Sequence, residues 1–147
     1  MIPRRQFLLD TNILVQLVRA NRLGEAIDSR FQLTASVERP LICVVTVGEL
    51  LALVKKLSWG AAKIRLVEDL LQQVTLLDIH SEEVLSTYAE LDFFLKKSGK
   101  SVEQNDIWIA ATTIVAGAHL LTTDKDFDPL YPVFLDRTWI DPQRPLF

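Results

Sequence analysis

The sequence predicts one α/β domain with a central parallel sheet and helices on both faces, and three observations lead there. Short apolar runs alternate with stretches whose apolar residues recur at helical spacing, the pattern of repeated strand–helix units. No low-complexity linker or repeat breaks this alternation over 147 residues, and 49% hydrophobic content is enough for a real core. Four acids, Asp10, Glu49, Asp106 and Asp124, stand where an apolar run ends or a helix begins. In an open parallel sheet those places line the ligand crevice.

Residues 6–9 are short and apolar, a buried strand closed by Asp10. Ile13, Leu14, Leu17 and Val18 then share a helical stripe, with Asp10, Thr11 and Asn12 each able to cap it. Ala26, Ile27, Arg30 and Phe31 put a second short helix near 25–32. After Pro40, the β-branched run 41–45 reads as a central parallel strand. Thr46 is expected to cap the next helix, which carries Leu50, Leu53, Val54 and Leu57. Another helix covers 61–73, with Leu66, Val67, Leu70 and Leu71 on one stripe. Residues 74–79 are a strand, and Ser81 starts a longer helix bearing Val84, Tyr88, Leu91 and Leu95. Lys96-Lys97-Ser98-Gly99-Lys100 reads as the clearest loop. Asp106 opens a helix whose stripe of Ile107, Ala110, Ala111, Ile114 and Val115 suits close packing on a sheet, with Gly117 as its C-cap. Residues 120–123 make a further strand and 133–135 an edge strand. The proline-bearing segment 139–147 is expected to wrap the surface or contact a partner.

Sixteen basic against 19 acidic residues give a net charge of −3, so local basic clusters or bound cations must draw in any polyanion. Cys43, the one cysteine, excludes an internal disulfide and a cysteine-rich zinc site; within the most apolar strand it reads as a buried, inert thiol. No apolar run approaches the ~18 residues of a membrane helix. Arg4-Arg5-Gln6-Phe7-Leu8-Leu9 superficially resembles a twin-arginine export signal. Asp10, Asn12, Gln16 and Arg19 interrupt its apolar stretch and no cleavage site follows, so a cytoplasmic protein is expected.

Each acid has a plain structural alternative. Asp10 could cap the first helix. Thr46-x-x-Glu49 matches a capping box. Asp106 could be a first-turn acid favoured by the helix dipole, and Thr123-Asp124-Lys125-Asp126 an Asx turn. Capping explains one acid at a time, however, and not why acids recur where the crevice lies. Carboxylates gathered there repel one another unless a cation holds them, which points to a hard-metal site. His80 and His119 have no partner at zinc-ligand spacing. No serine sits in a nucleophile elbow, and no Gly-rich fingerprint follows the first strand. Asp10-Thr11-Asn12 lacks the second aspartate that aspartyl-phosphate chemistry wants.

Four stretches carry a specific resemblance: Leu8-Leu9-Asp10-Thr11-Asn12-Ile13-Leu14, Val45-Thr46-Val47-Gly48-Glu49-Leu50, Asn105-Asp106-Ile107-Trp108-Ile109-Ala110-Ala111-Thr112, and Leu121-Thr122-Thr123-Asp124-Lys125-Asp126-Phe127. In this order and spacing they resemble PIN domains, and within that superfamily the VapC toxins of toxin–antitoxin pairs. The resemblance spans about residues 6–135 and implies a three-layer α/β/α sandwich filling a single domain, with 136–147 as a tail. It further implies an endoribonuclease dependent on Mg²⁺, with Mn²⁺ as a substitute. The family's acidic quartet falls on Asp10, Glu49, Asp106 and Asp124. Asp10 and Asp106 are expected as principal ligands, with Glu49 and Asp124 completing the site and Glu49 orienting the attacking water. Thr11 and Thr122 fall on small hydroxyl positions beside the acids. Asp126 is a further acid, supporting or an alternative ligand, and Asn12 is expected to brace the loop. Partners implied are an RNA substrate, a small VapB-like antitoxin and a second copy of the chain, as a homodimer or a heterotetramer or larger assembly with the antitoxin. The apolar faces around 50–57 and 66–71 exceed what one sheet face needs and suit such an interface. Competing readings are an RNA-processing nuclease without an antitoxin, a catalytically silent metal-binding module and a phosphatase-like hydrolase.

Overall fold

The computed structural model describes residues 5–144. Arg4, which begins the export-like stretch, and residues 145–147 of the tail lie outside it. Five short strands, β1 (Phe7–Leu9), β2 (Leu41–Cys43), β3 (Thr75–Leu77), β4 (His119–Thr122) and β5 (Arg137–Trp139), form one sheet in the order β3-β2-β1-β4-β5. Every pairing is parallel, with Leu8 opposite Leu41 on one side and Leu120 on the other. The expected three-layer α/β/α architecture is therefore what the chain adopts.

Six helices cover the sheet: α1 (Thr11–Arg19), α2 (Arg22–Phe31), α3 (Val44–Lys56), α4 (Ala61–Gln72), α5 (Glu82–Ser98) and α6 (Gln104–Val115). Strand side chains alternate between the two faces. Leu8, Leu41, Cys43 and Leu120 enter a core with Leu91, Leu95, Ile107 and Ala111 of α5 and α6. Leu9, Ile42 and Leu121 enter the opposite core with Ile13, Ile27, Leu50 and Val67 of α1 to α4. The small-residue stripe of α6 does pack closely, with Ala110 and Ala111 wholly buried. Cys43 is buried and its Sγ lies 3.4 Å from Thr112 Oγ1. Burial pushes its thiol pKa up, which keeps it an inert core residue.

Three sequence expectations need correction. Residues 41–45 are not all strand: the chain turns helical at Val44, with Cys43 as N-cap, so Thr46 lies inside α3, fully buried, and does not cap it. Lys96, Lys97 and Ser98 are the last turn of α5 and not a loop; two lysines there complement the helix's negative end, and Gly99 at φ 68 makes the left-handed cap. The edge strand is 137–139, not 133–135, so the segment treated as a tail contributes a sheet strand, whose Ile140 N–H still bonds Thr122 O. Arg137 is anchored there by Asp128 and lies over the Tyr131 ring.

The apolar excess on α3 and α4 is real, and it is carried only in part by the residues expected. Leu50 and Leu70 are buried, while Leu51, Leu57, Ile64 and Leu66 are exposed. Among the described residues no helix is long and apolar enough to cross a membrane.

Candidate metal centre

The chain leaves β1 toward β2 on one side and returns to β4 on the other, so the sheet's topological switch point lies between β1 and β4. Ligand sites form at such places, beyond the carboxyl ends of the strands. Asp10 ends β1 there. It is the N-cap of α1, its Oδ1 accepting from Thr11 N at 2.8 Å. Its Oδ2 accepts from the Thr122 hydroxyl at 2.7 Å, across the gap to β4. The capping alternative is thus correct for Asp10 and does not exhaust it, because each carboxylate oxygen has a second lone pair.

Thr122 Oγ1 also accepts from Asp124 N at 3.0 Å, and Asp124 Oδ1 accepts from Asp126 N at 3.0 Å. The Thr123–Asp126 stretch is therefore an Asx turn as well as a carrier of two acids. Asn12 braces this turn: its Oδ1 accepts from Thr123 N at 3.1 Å. On the outer side Trp139 Nε1 donates to Thr123 O at 3.1 Å, and Lys125 Nζ lies 4.5 Å from the Trp139 ring centre. Sequence reading missed Trp139, having placed it in a tail.

Glu49 sits in the second turn of α3 and does not close a capping box. Its Oε1 accepts from the Thr11 hydroxyl at 2.7 Å. The reason is the early start of α3: Thr46 is already helical and buried, so no free N-cap amide stands there for Glu49 to reach. Asp106 is the third residue of α6, half-buried, following an N-cap, Glu103, whose side chain makes no cap bond.

The acids feel one another. Burial, opposed by the bonds from Thr122 and Thr11 and reinforced by the charges of Glu49 and Asp124, pushes the Asp10 pKa up to about 6. Burial, then the charges of Asp10, Glu49, Asp126 and Asp124, pushes Asp106 up to about 7. A first-turn position would favour a charged carboxylate, but desolvation and four like charges outweigh it. A hydrogen bond to the Asp124 carboxylate, then burial and nearby acids, raises Asp126. Among the described residues no three acidic, histidine or cysteine side chains stand converged as a finished cage. Asp10 and Glu49 each give one oxygen to a threonine hydroxyl instead. The donor chemistry still fits a hard cation: all oxygen, all anionic, and mutually destabilised by charge.

A groove of ≈ 450 Å³ opens beside the acids, lined by Thr11, Gly48, Glu49, Ala52, Lys56 and Asn105 among others. Lys56 lies seven residues beyond Glu49, which puts both on one face of α3. That spacing was the signal by which it could have been found. The two histidines do other work: His80 Nδ1 pairs with Asp78 at 2.9 Å, and His119 Nδ1 with Asp136 at 3.1 Å.

Known proteins resemble this chain in sequence and in fold. Ribonuclease VapC2 of Haemophilus influenzae is 29% identical over 124 residues, covering 84% of this chain and 90% of that protein. The solved VapBC-1 of nontypeable Haemophilus influenzae superposes with a TM-score of 0.73 at 26% identity, over 90% of this chain and 96% of that one. VapBC2 of Rickettsia felis, solved bound to a promoter DNA fragment, has the same fold with a TM-score of 0.77 at 23% identity, over 92% of this chain and 98% of that one. The profile of the PIN domain family matches residues 7–131. That match runs from the first residue of β1 past the Asx turn and takes in every acid of the crevice: the chain belongs to the PIN domain family.

Proposed function

We propose that this protein is a metal-dependent endoribonuclease, the toxin of a VapBC-type pair, acting on RNA in the cytoplasm. The observation that carries the reading is the cluster at the switch point, where burial and neighbouring carboxylates push Asp10 to about 6 and Asp106 to about 7. Such a set is fully ionised at neutral pH only when a cation shares the site. The names of the relatives, ribonucleases and toxin–antitoxin complexes, support the substrate and the partner.

Asp10 and Asp106 would hold Mg²⁺ or Mn²⁺, with Glu49 and Asp124 completing the site directly or through water. When bound, the ion supplies an acidified water and neutralises phosphate charge in an in-line displacement. The chain's own contribution is positional. Thr122 fixes Asp10 Oδ2, and Thr11 fixes Glu49 Oε1, which leaves Glu49 Oε2 to accept a proton or orient water. Asn12 and Trp139 hold the turn that presents Asp124, and Asp126 supports it through its amide. Lys56, which lines the groove with Glu49, offers an incoming phosphate a counter-charge. The exposed Leu51, Leu57, Ile64 and Leu66 offer apolar faces for a second copy or an antitoxin helix.

Asp106→Asn tests the assignment. Purified wild type should cut RNA with Mg²⁺ or Mn²⁺ and lose cleavage in chelator, and the variant should lose at least ~100-fold in rate with its fold intact. Undiminished cleavage by the variant would sink the reading. Growth arrest on expression, relieved by a neighbouring small gene, separates the toxin from an RNA-processing nuclease.

A further inference from the structure

A second groove, of ≈ 490 Å³, lies along the far half of α1, the start of α2 and the segment after β5. Arg19, Arg22 and Arg144 line it, with the amides of Gln16, Asn21 and Gln143, and among the described residues no carboxylate does. In a chain of net charge −3 this is a local reversal of sign. The neighbouring groove between α1, α2 and α4 is its opposite, lined by Glu25, Asp28 and Asp69. Arg144 Nε stands 3.7 Å from Asp141, whereas Arg19 and Arg22 have no acid, carbonyl or ring partner among the described residues. Asn21 is occupied: it caps α2 through Gly24 N and donates to Gln16 Oε1 at 2.9 Å. That bond leaves Gln16 Nε2 without a protein partner among the described residues. Gly24 holds the geometry, because a Cβ there would come within 2.1 Å of Gln16 O.

We infer that this groove binds the phosphate backbone of the RNA substrate at a distance from the cut. The inference rests on the nuclease reading given above. Guanidinium groups match phosphate oxygens in a bidentate way, and free amide donors suit sugar and phosphate oxygens. The spacing also fits. Asp10 caps the start of α1 and Arg19 ends it, so nine helical residues, roughly 14 Å, separate the acids from the arginines. A ribose-phosphate chain crosses that distance in a few nucleotides. The groove thus supplies the local basic cluster that an acidic protein needs in order to hold a polyanion.

The test uses Arg19→Gln/Arg22→Gln in the full chain, with thermal unfolding to verify its fold. Binding of labelled oligoribonucleotides is titrated in the Asp106→Asn background as a function of salt. With an RNA longer than about 16 nucleotides, the slope of log K against log salt should fall in magnitude by about 1.4 in the double variant, and lysine at both positions should restore most of it. The loss should shrink as the RNA is shortened to a trinucleotide, and KM for cleavage of the long RNA should rise more than kcat falls. An unchanged slope and KM in a preparation that still cleaves RNA overturns the groove's role and leaves the nuclease reading standing. Failure of the wild type to cut any RNA overturns the nuclease reading instead. Weakened capture of an acidic peptide with RNA binding unaltered also overturns the inference, in favour of a protein ligand.

Discussion

The Thr11 hydroxyl donates to Glu49 Oε1 at 2.7 Å across 38 residues of sequence, tying the first turn of α1 to α3. One residue thereby serves both ends of the crevice, because its backbone N–H is also held by Asp10. Thr11→Val should remove the hydroxyl bond while keeping the shape, costing about 1 kcal/mol in urea unfolding and weakening Mg²⁺ binding by calorimetry. Thr11→Ser should restore both. Wild-type metal affinity in the valine variant would show that Glu49 needs no such positioning.

Thr122 is more critical. Its hydroxyl donates to Asp10 and accepts from Asp124 N, and it is fully buried. Thr122→Val leaves a buried carboxylate oxygen without a donor, so unfolding free energy should drop by about 3 kcal/mol. Thr122→Ser should stay within about 1 kcal/mol of wild type. Equal losses in the two variants would mean that the methyl, not the hydroxyl, matters.

The acids also set a pH dependence for the protein in chelator. Asp10 and Asp106 titrate near 6 and 7 when folded, against 3.8 for an ordinary aspartate, so the folded state binds protons that the unfolded chain has released. Their stabilising contribution is fully present below that lower value and is lost as pH rises through about 6 and about 7. The urea midpoint should therefore fall between about pH 4 and about pH 7, less steeply than two fully buried groups would give, since Asp106 keeps contact with screening water. Saturating Mg²⁺ should raise the midpoint most at the alkaline end. A midpoint that climbs with pH in chelator contradicts this account.

Much of the fold was legible because its signals are local. Apolar runs and helical stripes located all six α-helices and four of the five strands of the described residues to within a few residues. The fifth strand, 137–139, was not legible, because Arg137-Thr138-Trp139 is half-buried at the sheet edge and has no apolar run. Glu49 was ambiguous for a related reason. A capping box and a pocket acid share the same four-residue spacing, and only where α3 begins decides between them. The lysines before Gly99 read as loop because charge at a helix's last turn resembles a solvated turn in sequence. Asp10 and Asp124 could be found from strand ends. Their connection through Thr122, and Trp139 beneath the turn, depend on tertiary approach that no local pattern encodes.

The bonds from Thr122 to Asp10 and from Thr123 to Asn12 join residues 112 and 111 positions apart. Synthesis must therefore run past Thr122 before Asp10 meets the hydroxyl that holds it, and long-range closure of this kind is slow. The growing polypeptide thus carries only half a pocket until β4 has emerged.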